Sequence, residues 1–345
     1  MGIPANPTIY ATPTLVSGLL NQIPFNEGFI WPLLVKKETT TGKKWKSRSS
    51  QTRALMAKLL DLSEKLPFLM KGLTDMREGG FIKLGGALPI DPEELMGLDK
   101  TGEISPELVR ITNSLRISID SALEWIVLRG LSGQAITLES GISANLGAVG
   151  ATPTVGTIWS NIAAPGIADL MAAIATFKGL AANQNQAPSA ILMSSQDFLW
   201  LRNQTATQAM IFGTANAGQI VSDAQLRELL NRMSIPQIIT YDSTVEVESG
   251  ITFVATRVLP IDRVVLLPPK RVFPNGYGRV FFTRSSDQIV NANEGLIDPG
   301  LSSENPYYGW VEKQTNPGRY EVNGLAAVGI DLEGTASVVV IDTTP

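Results

Sequence analysis

The chain is 345 residues long, enough for two domains, and its 44% hydrophobic content suffices for a sizeable core. It contains no cysteine and no histidine, which excludes disulfides, thiolate metal sites, imidazole ligands and the Ser-His-Asp triad. A net charge of −4 with a pI near 5.2 excludes the basic surface that bulk nucleic-acid binding needs.

The first 28 residues hold Pro4, Pro7, Pro13 and Pro24. They read as extended or loosely turned chain with one short helix near Leu15–Leu20. So little periodicity leaves little burial to offset ordering entropy, and residues 1–35 are expected to order only against neighbouring copies. Phe29–Val35 reads as a strand, placed at an edge by Pro32. Thr39–Gly42 reads as a turn. Gln51–Lys65 is helix-like, with Leu55, Leu59 and Leu62 on one side. Gly79-Gly80 ends that segment and Phe81–Ile90 returns as extended chain, so residues 36–90 form a long excursion.

The strongest pattern follows. Leu108, Ile111, Leu115, Ile119, Ala122 and Ile126 recur at three- and four-residue spacing. Ser105 suits the N-cap, Pro106 the first helical position and Gly130 the C′ stop. A helix from Pro106 to Arg129 spans roughly 36 Å, the length of a scaffold element. Beyond it the sequence predicts a strand at Gln134–Leu138, a Gly- and Ala-rich loop over 141–156 and a helix at Pro165–Leu180. A strand at Ala190–Met193 and a helix from Ser195 to Arg202 come next. Ser222-Asp-Ala-Gln225 is a capping box that opens a helix to about Met233. Gln237–Thr240, Ile251–Thr256, Arg263–Leu267, Ala326–Ile330 and Ala336–Ile341 read as strands, and 283–309 as a long polar loop of the kind that is usually functional. The order defines an α+β chain without internal repeats.

No run of 18 apolar residues occurs, so no membrane span is expected. The N-terminus lacks the features of a signal peptide, and Asn6 stands where a myristoylation pattern needs Ser or Thr. The chain is therefore expected to be cytosolic where it is made.

Few residues carry a chemical signature. Asp91-Pro-Glu-Glu94 pairs carboxylates, but acids at a helix start complement the macrodipole. Asp120 and Glu124 lie four apart; without histidine, a hard-cation site needs more oxygens than this. A solvated face or salt bridges between subunits fit them better. Gly147-Ala-Val-Gly150 lacks the Gly-Lys-Ser/Thr ending of a phosphate loop. Trp159, Trp200 and Trp310 fit core or interface anchors. No catalytic, cofactor-binding or metal-ligating residue is assigned.

Charge is unevenly spread. Residues 36–58 hold Lys36, Lys37, Lys43, Lys44, Lys46, Arg48, Arg53 and Lys58 against Glu38 alone. Residues 285–310 hold Asp287, Glu294, Asp298 and Glu304 with no Lys or Arg. Either both are solvated loops, or the basic segment lies on an acidic patch of a neighbouring subunit, with Lys43, Lys44, Lys46 and Arg48 facing Asp287, Glu294, Asp298 and Glu304 or the acids around Asp91–Glu94.

The order of parts resembles the lambda-like major capsid proteins of tailed bacteriophages. The likeness rests on Ala122-Leu-Glu-Trp-Ile-Val-Leu-Arg-Gly130 followed by Gln134-Ala-Ile-Thr137, and on Trp159 before Pro165-Gly-Ile-Ala-Asp169. Ala190-Ile-Leu-Met-Ser-Ser195, Tyr277-Gly-Arg-Val280, Trp310 and Asn316-Pro-Gly318 complete it, while 51–78 are more helix-like than a plain hairpin tip. The resemblance implies the Hong Kong 97-type capsid fold. It implies an N-terminal arm at 1–35, an extended loop at 36–95, a peripheral domain of 96–160 plus 321–345 with its spine helix at 105–130, and an axial domain at 161–320. The implied function is a structural subunit, not an enzyme, that self-assembles as pentamers and hexamers into an icosahedral head shell around the phage genome. The implied partners are other copies, scaffolding, decoration and portal proteins, and the genome by non-specific contact. The implied location is the virion, with assembly in the host cytoplasm. An encapsulin-like nanocompartment shell and, in a different class, a carboxylate-dependent hydrolase are the alternatives.

Overall fold

The computed structural model describes residues 12–22, 28–41, 44–50, 74–91, 105–137, 143–144, 146, 148–183, 185–216, 218–249, 252–269, 277–284, 306–313, 320–332 and 334–344. The chain divides into two units. The first is residues 1–45, 79–127 and 279–330; the second is 46–78, 128–278 and 331–345.

In the first unit a five-stranded sheet carries the helices. Its strands are β1 (Lys36–Thr39), β4 (Ile82–Ile90), β12 (Arg279–Thr283), β13 (Tyr308–Lys313) and β14 (Tyr320–Asp331). The order is β1-β12-β14-β13, with β4 also on β14. β1 runs parallel to β12; β13 and β4 run antiparallel to β14. The spine helix α3 (Pro106–Leu131) lies on one face, its residues 106–127 belonging to this unit. Leu108, Ile111, Leu115, Ile119 and Ile126 are buried, as their spacing predicts. Leu115 sits against Gly86 of β4 and Gly324 of β14, where a side chain on Gly324 would crowd it. Two strand glycines are thus what lets the helix approach.

Helix α1 (Pro13–Gln22) packs on β13. Ser17 and Asn21, one turn apart, bond to the β13 side of the chain two residues apart. The Ser17 hydroxyl accepts from the Gly309 N–H at 3.0 Å and donates to its carbonyl at 3.2 Å. The Asn21 amide donates to the Tyr307 carbonyl at 2.8 Å and accepts its N–H at 3.2 Å. The helix therefore does for this edge strand what another strand would do. Within 12–22, Val16, Ser17 and Leu20 are buried in the subunit itself, more burial than the little expected of 1–35.

Phe29–Val35 is not a strand. Trp31–Leu34 forms a one-turn helix, α2, with Pro32 in its first turn, where a missing N–H costs nothing. Trp45 stacks on Phe281 at 5.5 Å, and its indole N–H donates to the Gly80 carbonyl at 3.0 Å.

In the second unit a four-stranded sheet has the order β15-β11-β7-β8: β7 is Ala190–Met193, β8 Gln237–Thr240, β11 Arg263–Leu267 and β15 Val339–Asp342. β11 is antiparallel to β15 and β7, and β7 is parallel to β8. Helices α4 (Gly166–Gly179), α5 (Ser195–Asn203), α6 (Thr205–Phe212) and α7 (Asp223–Arg232) supply the rest of the core, with Trp159, Leu170, Phe177 and Leu201 at its centre. The Ser222–Gln225 capping box forms as predicted, with α7 starting at Asp223. Three two-stranded pieces complete the unit: β2 (Trp45–Ser50) with β3 (Thr74–Gly79), β5 (Ile136–Thr137) with β6 (Ser143–Ala144), and β9 (Thr244–Ser249) with β10 (Thr252–Arg257).

The spine helix runs past Gly130 to Leu131. Its stop is Gly133, at φ +71°. The Gly133 N–H donates to the Gly130 carbonyl and the Gln134 N–H to the Arg129 carbonyl, the paired bonds of a Schellman motif. Ala336–Val338 is not strand either: Thr335–Ser337 is a turn of 3-10 helix before β15. The helix expected at Gln51–Lys65 lies outside the described residues.

Candidate functional site

The polar residues of the spine helix are the most elaborate feature of the first unit. Asp120 and Glu124 are neither on a solvated face nor held out for another subunit: both are buried. The Glu124 carboxylate accepts the N–H of Ile30 at 3.0 Å and of Trp31 at 2.7 Å. It caps α2 from outside, placing a negative charge where the helix end is positive. Asp120 accepts from the Arg116 guanidinium at 2.7 Å and from the Tyr307 hydroxyl at 2.6 Å. Arg116 lies over the Tyr307 ring, 3.5 Å from its centre, and donates to the Leu20 carbonyl at the end of α1 at 2.9 Å. Burial and the Asp120 charge push the Tyr307 phenol well above its ordinary range. The Lys37 ammonium lies 4.8 Å from the Trp31 ring centre, and burial lowers it, with Asp120 opposing. Each charge at Arg116, Asp120 and Glu124 is met by polypeptide, so these side chains fasten α1, α2 and the Tyr307 segment to the spine.

The second unit has a smaller equivalent. Ser194 N-caps α5, and its hydroxyl donates to the Asp197 carboxylate at 2.7 Å while accepting the Asp197 N–H at 3.0 Å. The Thr343 hydroxyl donates to the other Asp197 oxygen at 3.1 Å. Asp197 is buried, and burial pushes its carboxyl up to about 7 against the pull of both hydroxyls. The Trp159 indole donates to Asp169 at 3.0 Å; burial raises this carboxyl too. Trp159 is a core anchor, as expected, and Trp200 packs against the same cluster. Trp310 stands beside Tyr308 with ring centres 5.5 Å apart.

Of the charged residues assigned to an interface, Lys44 and Lys46 flank Trp45 and are exposed, and Arg48 lies on strand β2. Lys43, Asp287, Glu294, Asp298 and Glu304 lie outside the described residues, as do Pro92–Glu94. The basic strand is therefore placed, and of the acids proposed to meet it only the exposed Asp91 lies among the described residues.

Ser17, Asn21 and Tyr307 have no sequence signal, because their partners are 187 to 292 residues away. Arg116–Asp120 is visible as an i,i+4 pair, and Ser194-x-x-Asp197 as a short capping pattern.

No protein-family model matches the chain, and no curated protein does. Solved structures do. A phage-related protein from Bordetella bronchiseptica RB50 superposes with a TM-score of 0.58 at 11% identity, covering 97% of this chain and 99% of that one. A structure assigned as a prophage capsid protein from E. coli CFT073 gives 0.56 at 15% identity, covering 96% and 98%. The chain has the α+β Hong Kong 97-type capsid fold.

Proposed function

We propose that this chain is the major capsid subunit of a tailed bacteriophage, a structural protein that self-assembles into the icosahedral head shell enclosing the genome. The supporting observation is that a phage capsid fold accounts for nearly the whole chain, with both lengths covered to 96% or more. The buried carboxylates Asp120, Glu124 and Asp197 fit this reading, since hydroxyl, guanidinium and N–H partners within the subunit occupy their oxygens. Groups so occupied are structural, not poised for substrate.

In this reading 1–35 is the arm and 36–95 the extended loop, the unit built on the spine and the β1-β12-β14-β13 sheet is the peripheral domain, and the unit built on the β15-β11-β7-β8 sheet is the axial domain that clusters in pentamers and hexamers. The acidic balance suits a wall that should not grip densely packed DNA. Scaffolding, decoration and portal proteins are the further partners, the host cytoplasm the place of assembly and the virion the destination.

The test is sedimentation and negative-stain microscopy of the purified chain. A shell subunit forms closed particles of megadalton mass. A species that stays a small oligomer at all concentrations and salts overturns the proposal. Nuclease-protected nucleic acid in particles from infected or induced cells separates a virion from a nanocompartment.

A further inference from the structure

The segment after β15 is stitched to three other pieces of the second unit. The Thr343 N–H donates to the Asp262 carbonyl at 3.0 Å, and the Thr343 carbonyl accepts the Trp159 N–H at 3.1 Å. Its hydroxyl donates to Asp197 at 3.1 Å. One residue thus ties the turn before β11, the segment before α4 and the first turn of α5 together. Thr344 adds its N–H to the Asp342 carboxylate at 3.1 Å and its hydroxyl to Asp262 at 3.5 Å. Thr343 and Asp197 are fully buried, whereas Thr344 is exposed.

Acids outnumber cations around this stitch. Asp197 meets it from α5, Asp262 from the turn before β11 and Asp342 from β15, while Asp169 of α4 bonds the Trp159 indole. Asp242 accepts the Ser195 N–H at the start of α5 and pairs with Arg257. Arg263 serves Asp262 at 3.7 Å and Asp342 at 2.9 Å, and Arg129 acts on Asp262. Among the described residues no cation pairs with Asp197, and the charge that acts on it is another acid, Asp262. An ionised carboxylate buried beside an acid is costly, whereas the neutral carboxyl keeps its hydroxyl contacts without that cost. The structure offers ionisation one local outlet. Phe198 and Leu201 hold α5 in the core, but Thr343 leads directly to exposed chain. Lifting it admits water to the carboxylate and leaves the core closed.

We infer that Thr343–Thr344 is a pH-operated latch: with Asp197 neutral the segment is closed over α5, and ionisation of Asp197 releases it, freeing the Trp159 N–H and the Asp262 carbonyl as it leaves. The sign follows from the two states. Closed, burial raises the carboxyl to about 7; open to water, it returns towards its ordinary 3.8. The latch is therefore tightest below about pH 4, loosens as pH rises to about 7 and changes no further above that.

Amide hydrogen exchange of the purified chain, corrected for the intrinsic pH dependence of exchange, tests this at residue resolution. The Trp159 and Thr343 amides report the latch, and the Leu266 amide, in the middle of β11, reports opening of the core. Opening at Trp159 and Thr343 should exceed opening at Leu266 throughout. It should rise tenfold or more between about pH 5 and pH 7 and then level off. Asp197→Asn should abolish the rise, and Asp169→Asn, which removes the other carboxyl raised by burial, should keep it. Thr343→Val removes a hydroxyl that favours the ionised form, so its rise should continue to higher pH than in the parent; this arm decides the matter if Asp197→Asn does not fold. A rise that persists unchanged in Asp197→Asn, or that disappears in Asp169→Asn, overturns the latch. So does exchange at Trp159 and Thr343 no faster than at Leu266, which would mean that the segment opens only when the whole unit unfolds.

Discussion

Two buried carboxylates show how single residues hold this chain. Glu124 spends both oxygens on backbone N–H groups of α2. Glu124→Gln turns one acceptor into a donor facing a donor, and a buried unsatisfied N–H costs about 1–3 kcal/mol. Urea unfolding should register that loss, and limited proteolysis should open first within 28–35; a variant as stable and as resistant as the parent would mean that the cap contributes nothing. Asp197 behaves differently because burial dominates it. Its carboxyl is raised from an ordinary 3.8 to about 7, so the fold favours the neutral form. That contribution is complete below about pH 4 and is lost as pH rises through about 7. The sign is opposite to that of an ion-paired aspartate. Asp197→Asn keeps an acceptor for Thr343 and removes the titration. Relative to this variant, the parent should lose roughly 2–3 kcal/mol between about pH 5 and pH 8. Parallel pH–stability curves for the two proteins would refute the assignment.

At the scale of elements, period and punctuation were readable where the partner is local. The spine helix, α4, α7 with its capping box, and strands β7, β8 and β11 follow from apolar spacing and caps within each segment. The failures have a common cause. Phe29–Val35 looked like an edge strand because its apolar run and Pro32 fit one; a carboxylate over ninety residues away makes it a helical turn. Gly130 looked like a helix stop, but Gly133, three residues on, takes the left-handed conformation. Asp120 and Glu124 looked solvated because only folding brings Tyr307, Leu20 and α2 over them. The spine stripe itself is open to a direct test. Leu115 is buried against Gly86 and Gly324. Leu115→Asp should cost about 3–5 kcal/mol, an uncompensated buried charge. The expected result is aggregation or degradation on expression, and soluble, shell-forming protein would show that the stripe faces elsewhere.

For the whole molecule, the sequence concentrates cations in 36–58 and acids in 285–310. Lys44, just before strand β2, and Lys46, on it, are exposed on either side of Trp45, which is locked by stacking on Phe281. The cations are thus presented from a fixed point rather than from a free tail. The segment's net charge is strongly positive, while 285–310 carries Asp287, Glu294, Asp298 and Glu304 without a cation. One exposed ion pair contributes only about 0–1 kcal/mol, too little to matter for folding. In a shell each contact recurs in every copy, so a pair negligible for one subunit shifts the assembly equilibrium many times over. Such pairs are screened over about 8–10 Å near physiological ionic strength. Two consequences separate this from a solvated loop. Assembly of the unmodified chain should weaken as salt rises. Lys43, Lys44 and Lys46 changed together to Gln should impair particle formation at low salt, flatten its salt dependence and leave far-UV CD unchanged. Particles that form normally from the triple variant at low and high salt would reduce the basic segment to solvated surface and leave assembly to apolar contacts.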